Sequence, residues 1–257
     1  MNVYIPTKML PASIKRVGYK IVFRRRKVVN ASPFLSAVSG KRGIEIGGPS
    51  LFFDVSLPIY RTLGSLDGLN FSRQTIWEGV IGESTDFSYR KRRLGNQVIG
   101  EASDLSSVEA HSYDFVLSCH SLEHVANPLR ALREWKRILK PGGFLILAVP
   151  NKESIFDHKR PITTFSHLIA DEQSRVDERD LTHLQEILEL HDLGRDKAAG
   201  TFEEFRARSL DNFSNRGLHH HVFDSVLLSE CLTYTDYQVL EMRSSYYDHL
   251  ALCQIGL

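Results

Sequence analysis

Three acids and a glycine turn stand at intervals that suit a nucleoside. Gly43–Gly48 reads GIEIGG, a short apolar strand that ends on glycines. Such glycines let backbone N–H groups approach a ligand closely. Asp67 follows Glu45 by 22 residues and sits at the expected end of a second strand, RTLGSLDG. An acid there suits paired ribose hydroxyls. Asp104, in EASDL after the third strand, can accept from an adenine amino group. All three acids fall where open α/β sheets place ligands, at the carboxyl ends of strands. The glycine run continues as Pro49-Ser50 rather than as GxGxxG, which disfavours a nicotinamide-dependent dehydrogenase. An adenosine-containing cofactor is the expectation.

The histidines form a second constellation. There are 11, and ten lie between His111 and His221. His120-x-x-Glu123-His124 follows the apolar strand YDFVLSCH, and a helical start would put the three on one side. Asp157-His158 and His219–His221 are two further groups. A neutral imidazole takes a proton near pH 7, so His124 and His120 are candidate bases for an acceptor hydroxyl, with His221 behind them. Two other readings stay open for this group: packing or capping at a helix start, and a divalent ion held by His and Glu. No metal ligand is assigned.

The elements that must position these residues are strongest after Tyr113. Phe115–Leu117 is an apolar strand core. Asn127 can cap a helix with Pro128 in its first turn, where a missing N–H costs nothing. Leu129, Leu132, Trp135, Ile138 and Leu139 recur at helical spacing until Lys140-Pro141-Gly142-Gly143 stops them. FLILAVP is a second apolar strand. Strand, helix and strand in this span form a βαβ unit and a parallel sheet. The polar stretch from Asn70 to Gly95 reads as an insertion. Beyond Pro150, Leu181–Leu193 reads as a helix, Thr201 and Glu204 as a capping box, and Asp224 as a further cap. YQVLEMRSSYY and HLALCQIG close the chain as two strands that can form an antiparallel edge.

Composition bounds the rest. The chain has 257 residues, 42% hydrophobic and 25% charged, which excludes wholesale disorder. Residues 1–44 carry ten Lys and Arg and no acid, so they hold +10 against a total of +1 and leave −9 for the remainder. RRRK at Arg24–Lys27 could meet phosphates, RNA or anionic lipid, or simply be solvated. Cys119, Cys231 and Cys253 are far apart and form no CxxC pair, so a reducing, cytoplasmic setting is expected. No apolar run approaches the roughly 20 residues of a membrane span, and the N-terminus has no signal-peptide apolar core.

GIEIGGPS, EASDL and YDFVLSCHSLEHVANPLRALREWKRILKPGGFLILAVPN together resemble class I S-adenosylmethionine-dependent methyltransferases. The small-molecule group with an LEHV and KPGG signature is the nearest. The resemblance covers Gly43–Asn151; the GGPS loop departs from that group's ExGxGxG, and the Asn70–Gly95 segment is unusually long. It implies an α/β, Rossmann-like sheet of seven strands, mostly parallel with the last strand antiparallel. Helices would lie on both faces, with a helical insertion as a lid. It also implies S-adenosylmethionine as cofactor. Glu45 and Gly47, with Gly48, would hold its methionine end, Asp67 its ribose, and Asp104 and Leu105 its adenine. Ser118, Cys119 and His120 would floor the space between cofactor and acceptor. The metal-binding ExxEH of small-RNA 2′-O-methyltransferases is similar to the His120 group, with His120 in place of its first Glu. The segments DHKRPITTFSHLIADE and DLTHLQEILELHDL resemble the lid of methyltransferases linked to cell-surface glycans.

The expected organisation is a basic arm (1–42), a cofactor core (43–150), a substrate-lid insertion (151–217) and a C-terminal completion of the sheet (218–257). The expected activity is methyl transfer to an oxygen or nitrogen of a polar small molecule, such as a sugar or glycan precursor. The alternatives are a nucleic-acid methyltransferase docking through the arm, and a non-catalytic binding protein of the same fold. Residues 1–40 could also touch a membrane surface.

Overall fold

The computed structural model describes residues 27–75, 79–81 and 85–256. RRRK, apart from Lys27, and most of the basic arm lie outside them. Ten strands are present among the described residues: β1 Arg42–Ile46, β2 Ser65–Asn70, β3 Gln74–Thr75, β4 Gly79–Val80, β5 Asp86–Tyr89, β6 Arg92–Ile99, β7 Tyr113–Cys119, β8 Leu139–Pro150, β9 Gln238–Ser244 and β10 Asp248–Gln254. The helices are α1 Ser32–Val38, α2 Pro128–Ile138, α3 Phe165–Ser174, α4 Leu184–Leu190, α5 Phe202–Leu210, α6 Asn212–Asn215 and α7 Ser225–Tyr234. None of the described helices is long and apolar enough to cross a membrane.

One sheet of eight strands runs in the order β5-β6-β2-β1-β7-β8-β10-β9, and β3 and β4 form a small separate hairpin. The central ladders β6-β2-β1-β7-β8 are parallel, and β10 runs antiparallel to both β8 and β9. The expected seven strands and antiparallel last strand are present. The eighth, β5, comes from the Asn70–Gly95 insertion, which folds back antiparallel onto β6.

Side chains alternate between the two faces of the sheet, as a period of two requires. Phe115 and Leu117 of β7, with Ile146 and Ala148 of β8, face Phe34, Val38 and Phe53. Val116, Leu145 and Leu147 face Leu129, Leu132 and Trp135 of α2 and Leu228 and Leu232 of α7. Each fully buried large apolar side chain of this kind contributes roughly 1.5–3 kcal/mol. Residues 32–38 pack beside the core, where Phe34 and Val38 are fully buried.

Helix α2 starts where its sequence says. The Asn127 side chain accepts from the Arg130 N–H at 3.1 Å, with Pro128 in the first turn. Thr201 and Glu204 form the capping box of α5, and Asp224 caps α7 through the Leu227 N–H. The Leu181–Leu193 helix is shorter than its pattern, at Leu184–Leu190. The insertion has a small core of its own in Ile187, Ala199, Phe205 and Leu218.

Candidate active site

A cavity of about 820 Å³ opens at the carboxyl ends of β1, β2, β6 and β7. Its floor is the turn after β1. Gly47 has φ +79°, a left-handed conformation that favours glycine, and a Cβ there would lie 2.4 Å from Ser121 Oγ. A Cβ on Gly48 would fall 2.2 Å from the Glu45 carboxyl carbon. Glu45 itself does not line the cavity. It is fully buried beneath the turn, accepting from Ser50 N–H (3.0 Å), Ser50 Oγ (2.6 Å) and Tyr60 OH (2.5 Å). Its carboxylate shapes the loop from below, and Gly47 and Pro49 present that loop to the cavity.

Asn70 lines the cavity and Asp67 does not. β2 runs three residues past Asp67, because Gly68, Leu69 and Asn70 pair with Gln97, Val98 and Ile99 of β6. Asp67 lies nearer the opposite end of its strand, bound by Arg42 (3.0 Å), Tyr113 OH (2.9 Å) and the Asn96 N–H (2.7 Å). Asn70 ends the strand and lines the cavity. Its Nδ2 donates to the Gly48 carbonyl at 3.0 Å, and its buried Oδ1 has no hydrogen-bond partner.

Asp104 and Leu105 also lie away from the cavity. Asp104 is solvent-facing, 3.5 Å from Arg130, and its carboxyl is held low by the Ser106 N–H and hydroxyl. Leu105 is buried in the core and donates its N–H to Glu134. Neither lines the cavity, whereas Glu101 and Ala102 do. Arg216 reaches across from the insertion to Glu101 at 2.5 Å and lies over the Phe71 ring.

The acceptor end gathers histidines. Cys119 and His120 line it, and Ser118 is buried just beneath with its Oγ unpartnered. His120 has φ +52°, a strained backbone for a non-glycine residue, and its Nε2 lies 2.7 Å from Asp248. The expected helical start is instead a single tight turn, Leu122–His124. It turns Glu123 into the cavity with both carboxylate oxygens buried and unpartnered, and burial raises its pKa. His124 also lines the cavity, bonded through Nδ1 to the Leu218 carbonyl, and burial pushes its pKa well below the ordinary histidine value. His221 does not line the cavity. It sits behind the wall, with Nε2 3.1 Å from the Ala126 carbonyl.

His219 takes the place expected of His221. Its ring meets His124 edge-on at 4.5 Å and Phe156 at 4.7 Å, and its Nδ1 lies 2.5 Å from Asp157 Oδ2. Burial works against the Asp157 carboxylate, but His219 and Arg160 outweigh it and bring the pKa down to about 2. Arg160 is itself buried, binding Asp157, Glu186 and the His219 and His220 carbonyls. Glu123, His124 and His219 are also close enough to share one metal ion.

Asn70 and Arg216 were not singled out by the sequence, and Asp157 and His219 were named only as members of the groups Asp157-His158 and His219–His221, with no role assigned. The LHHHVFD run does mark the His219 segment, but three adjacent histidines give no sign of which faces inward.

Comparison with known proteins agrees with the fold. A family model described as a methyltransferase domain matches residues 77–147. A ubiquinone biosynthesis O-methyltransferase of Maricaulis maris is 40% identical over 55 residues, 21% of this chain and 22% of that protein. The match thus spans about a fifth of the curated relative. An S-adenosylmethionine-dependent methyltransferase from Methanosarcina mazei superposes with TM-score 0.50 at 15% identity, covering 90% of this chain and 99% of that one. A chain of the complex between the Haloferax volcanii Trm112 methyltransferase activator and a methyltransferase gives TM-score 0.50 at 15% identity, covering 93% and 95%.

The strand order and glycine turn give this chain the fold of the Methanosarcina mazei S-adenosylmethionine-dependent methyltransferase, and residues 77–147 match the methyltransferase-domain model. S-adenosylmethionine is the cofactor by which that Methanosarcina mazei protein is named. The residues present fit that cofactor: a glycine cradle that a Cβ would fill, and the orphaned Oδ1 of Asn70 above it.

Proposed function

We propose that this protein methylates a hydroxyl oxygen of a polar small molecule, with His219 receiving the acceptor's proton. When bound, S-adenosylmethionine supplies an electrophilic sulfonium methyl. The Gly47–Pro49 turn and Asn70 would hold it, with Glu101 and Ala102 beside the adenine.

The observation that carries this reading is the Asp157–His219 pair on the wall of the same cavity as the glycine turn. An Nδ1–H donated to Asp157 fixes the tautomer and leaves Nε2 to take a proton. Asp157 stabilises the imidazolium that forms and keeps its own charge. A positioned base of this kind contributes typically about 10²–10⁴-fold, and alignment of the reactants supplies more.

The acceptor class follows from the rest of the wall. Asp196, Lys197, Glu204 and Arg208 of the insertion line the cavity beside Arg216 and His120. Such groups hydrogen-bond hydroxyls and suit a sugar or glycan precursor better than an apolar ring. The oxygen acceptor of the Maricaulis maris O-methyltransferase supports the choice of atom.

The test is transfer of labelled methyl from S-adenosylmethionine to a panel of sugars, nucleotide sugars, phenols and RNA. Labelling of hydroxylated sugars, lost in His219→Ala with cofactor binding intact, is the expected result. Absence of cofactor binding by calorimetry refutes the reading, as does transfer confined to RNA.

A further inference from the structure

We propose that His167, Asp171, His183 and His221 form a binding site for one divalent transition metal ion, zinc by its donor set. The ion would fasten the insertion to the core behind the active-site wall. The four come from three places: His167 and Asp171 from α3, His183 from the turn before α4, and His221 from the segment leading to α7. The site is distinct from the Glu123, His124 and His219 group, with which it shares no residue.

Geometry carries the proposal. One ligand atom from each residue falls within 4.8 Å of all the others. His167 Nε2 is 2.9 Å from His183 Nε2 and 3.2 Å from Asp171 Oδ2, and His221 Nε2 is 3.7 Å from that oxygen. A tetrahedral ion with arms of about 2.0–2.1 Å has ligand–ligand edges of about 3.3 Å, and the three separations bracket that value.

The polar bookkeeping points the same way. Asp171 Oδ2 is buried and makes no well-aligned hydrogen bond. An unsatisfied buried polar atom costs roughly 1–3 kcal/mol. The two facing Nε2 atoms of His167 and His183 can share at most one useful proton. An ion accepts from all of these lone pairs at once. Three imidazoles and one carboxylate suit zinc, and four protein ligands close its shell, which is the arrangement of a structural site. Calcium and magnesium prefer oxygen-rich sets. Binding asks one change of the protein: a ligating His221 Nε2 gives up its 3.1 Å contact with the Ala126 carbonyl. The His167 side chain, 37% exposed, provides the way in.

The experiment is metal analysis of the purified full-length chain, loaded with zinc and dialysed, which requires no methyl transfer. About one zinc per chain is expected, with a melting temperature that falls on chelation and recovers on adding zinc. His183→Ala and His167→Ala should each lose the ion while keeping their circular dichroism, and Glu123→Gln should retain it. Cobalt(II) in its place should show the strong visible bands of a tetrahedral site. Failure of the wild-type chain to retain zinc refutes the site. Retention in both histidine variants, with loss in Glu123→Gln, refutes this assignment and moves the ion to the other cluster. Either outcome leaves the methyl-transfer reading to its own test.

Discussion

Nδ1 of His219 and Oδ2 of Asp157 lie 2.5 Å apart, joining residues 62 positions apart in the chain. Asp157 enters the pair already held by Arg160, and Arg160 is anchored by two backbone carbonyls of the His219–His221 run. The carboxylate, the imidazole and the backbone that carries the imidazole are thus one buried assembly. It turns one ring of three adjacent histidines toward the cavity.

If His219 is the base, His219→Ala should lower kcat by about 10²–10⁴-fold and leave the affinity for S-adenosylmethionine unchanged. Steady-state kinetics beside calorimetry separate the two effects. His120→Ala is the control, because His120 forms a second pair with Asp248 in the same cavity. A loss confined to His120→Ala transfers the role to His120.

Asn70 and Asp67 should separate cleanly. Asn70→Ala removes the donor to the Gly48 carbonyl and the oxygen above the cradle. Two lost hydrogen bonds at about 0.5–1.5 kcal/mol each predict a cofactor affinity weaker by about 5- to 150-fold. Asp67→Asn should leave that affinity unchanged and lower the melting temperature, because it disturbs the contacts with Arg42 and Tyr113. Calorimetry and thermal denaturation check both, and a cofactor defect in Asp67→Asn overturns the reassignment.

The Gly47 turn gives a third prediction. Gly47→Ala forces a side chain into φ +79° and toward Ser121 Oγ. The left-handed conformation alone costs roughly 1–2 kcal/mol. The variant should melt lower and bind the cofactor more weakly, and Ser121→Ala in the same chain should recover part of the loss by clearing the contact.

The parts of this fold legible in the sequence are those set by short-range physics. The Asn127 cap, the α2 stripe and the apolar run of β8 each need only their neighbours, and each appears where its residues place it. The site was legible only as far as the glycine turn and the His120–His124 run. Asp67 was expected at the end of its strand because a glycine follows it. Gly68 reads as the start of a turn, yet pairing with β6 carries the strand on to Asn70. Asp104 and Glu101 share one acidic loop, and only the folded chain shows that Glu101 is the one lining the cavity. The choice of His219 over His221 rests on Arg160 and Asp157, about 60 residues away, and no local pattern contains it.

Glu178 predicts how stability varies with pH. Its side chain is buried in the cavity wall, and its carboxylate accepts from the Ala126 N–H at 3.2 Å. Burial raises its pKa to about 7 from an ordinary value of 4.5, against the lowering effect of that N–H. The folded state therefore holds this proton more tightly than the unfolded chain does. Below pH 4.5 both states are protonated, and the group costs nothing. Between pH 4.5 and about 7 only the unfolded chain ionises, so stability falls as pH rises, by roughly 3 kcal/mol in all. Asp157 acts with the opposite sign at lower pH. Its pKa is about 2 against 3.8, so its contribution is present above pH 3.8 and disappears as pH falls toward 2. Glu178→Gln keeps an acceptor for the Ala126 N–H and removes the ionisation. It should flatten the loss between pH 4.5 and 7 and make the protein more stable than wild type at pH 8. Urea denaturation at each pH measures both, and an unchanged slope in the variant shows that Glu178 is not the group responsible.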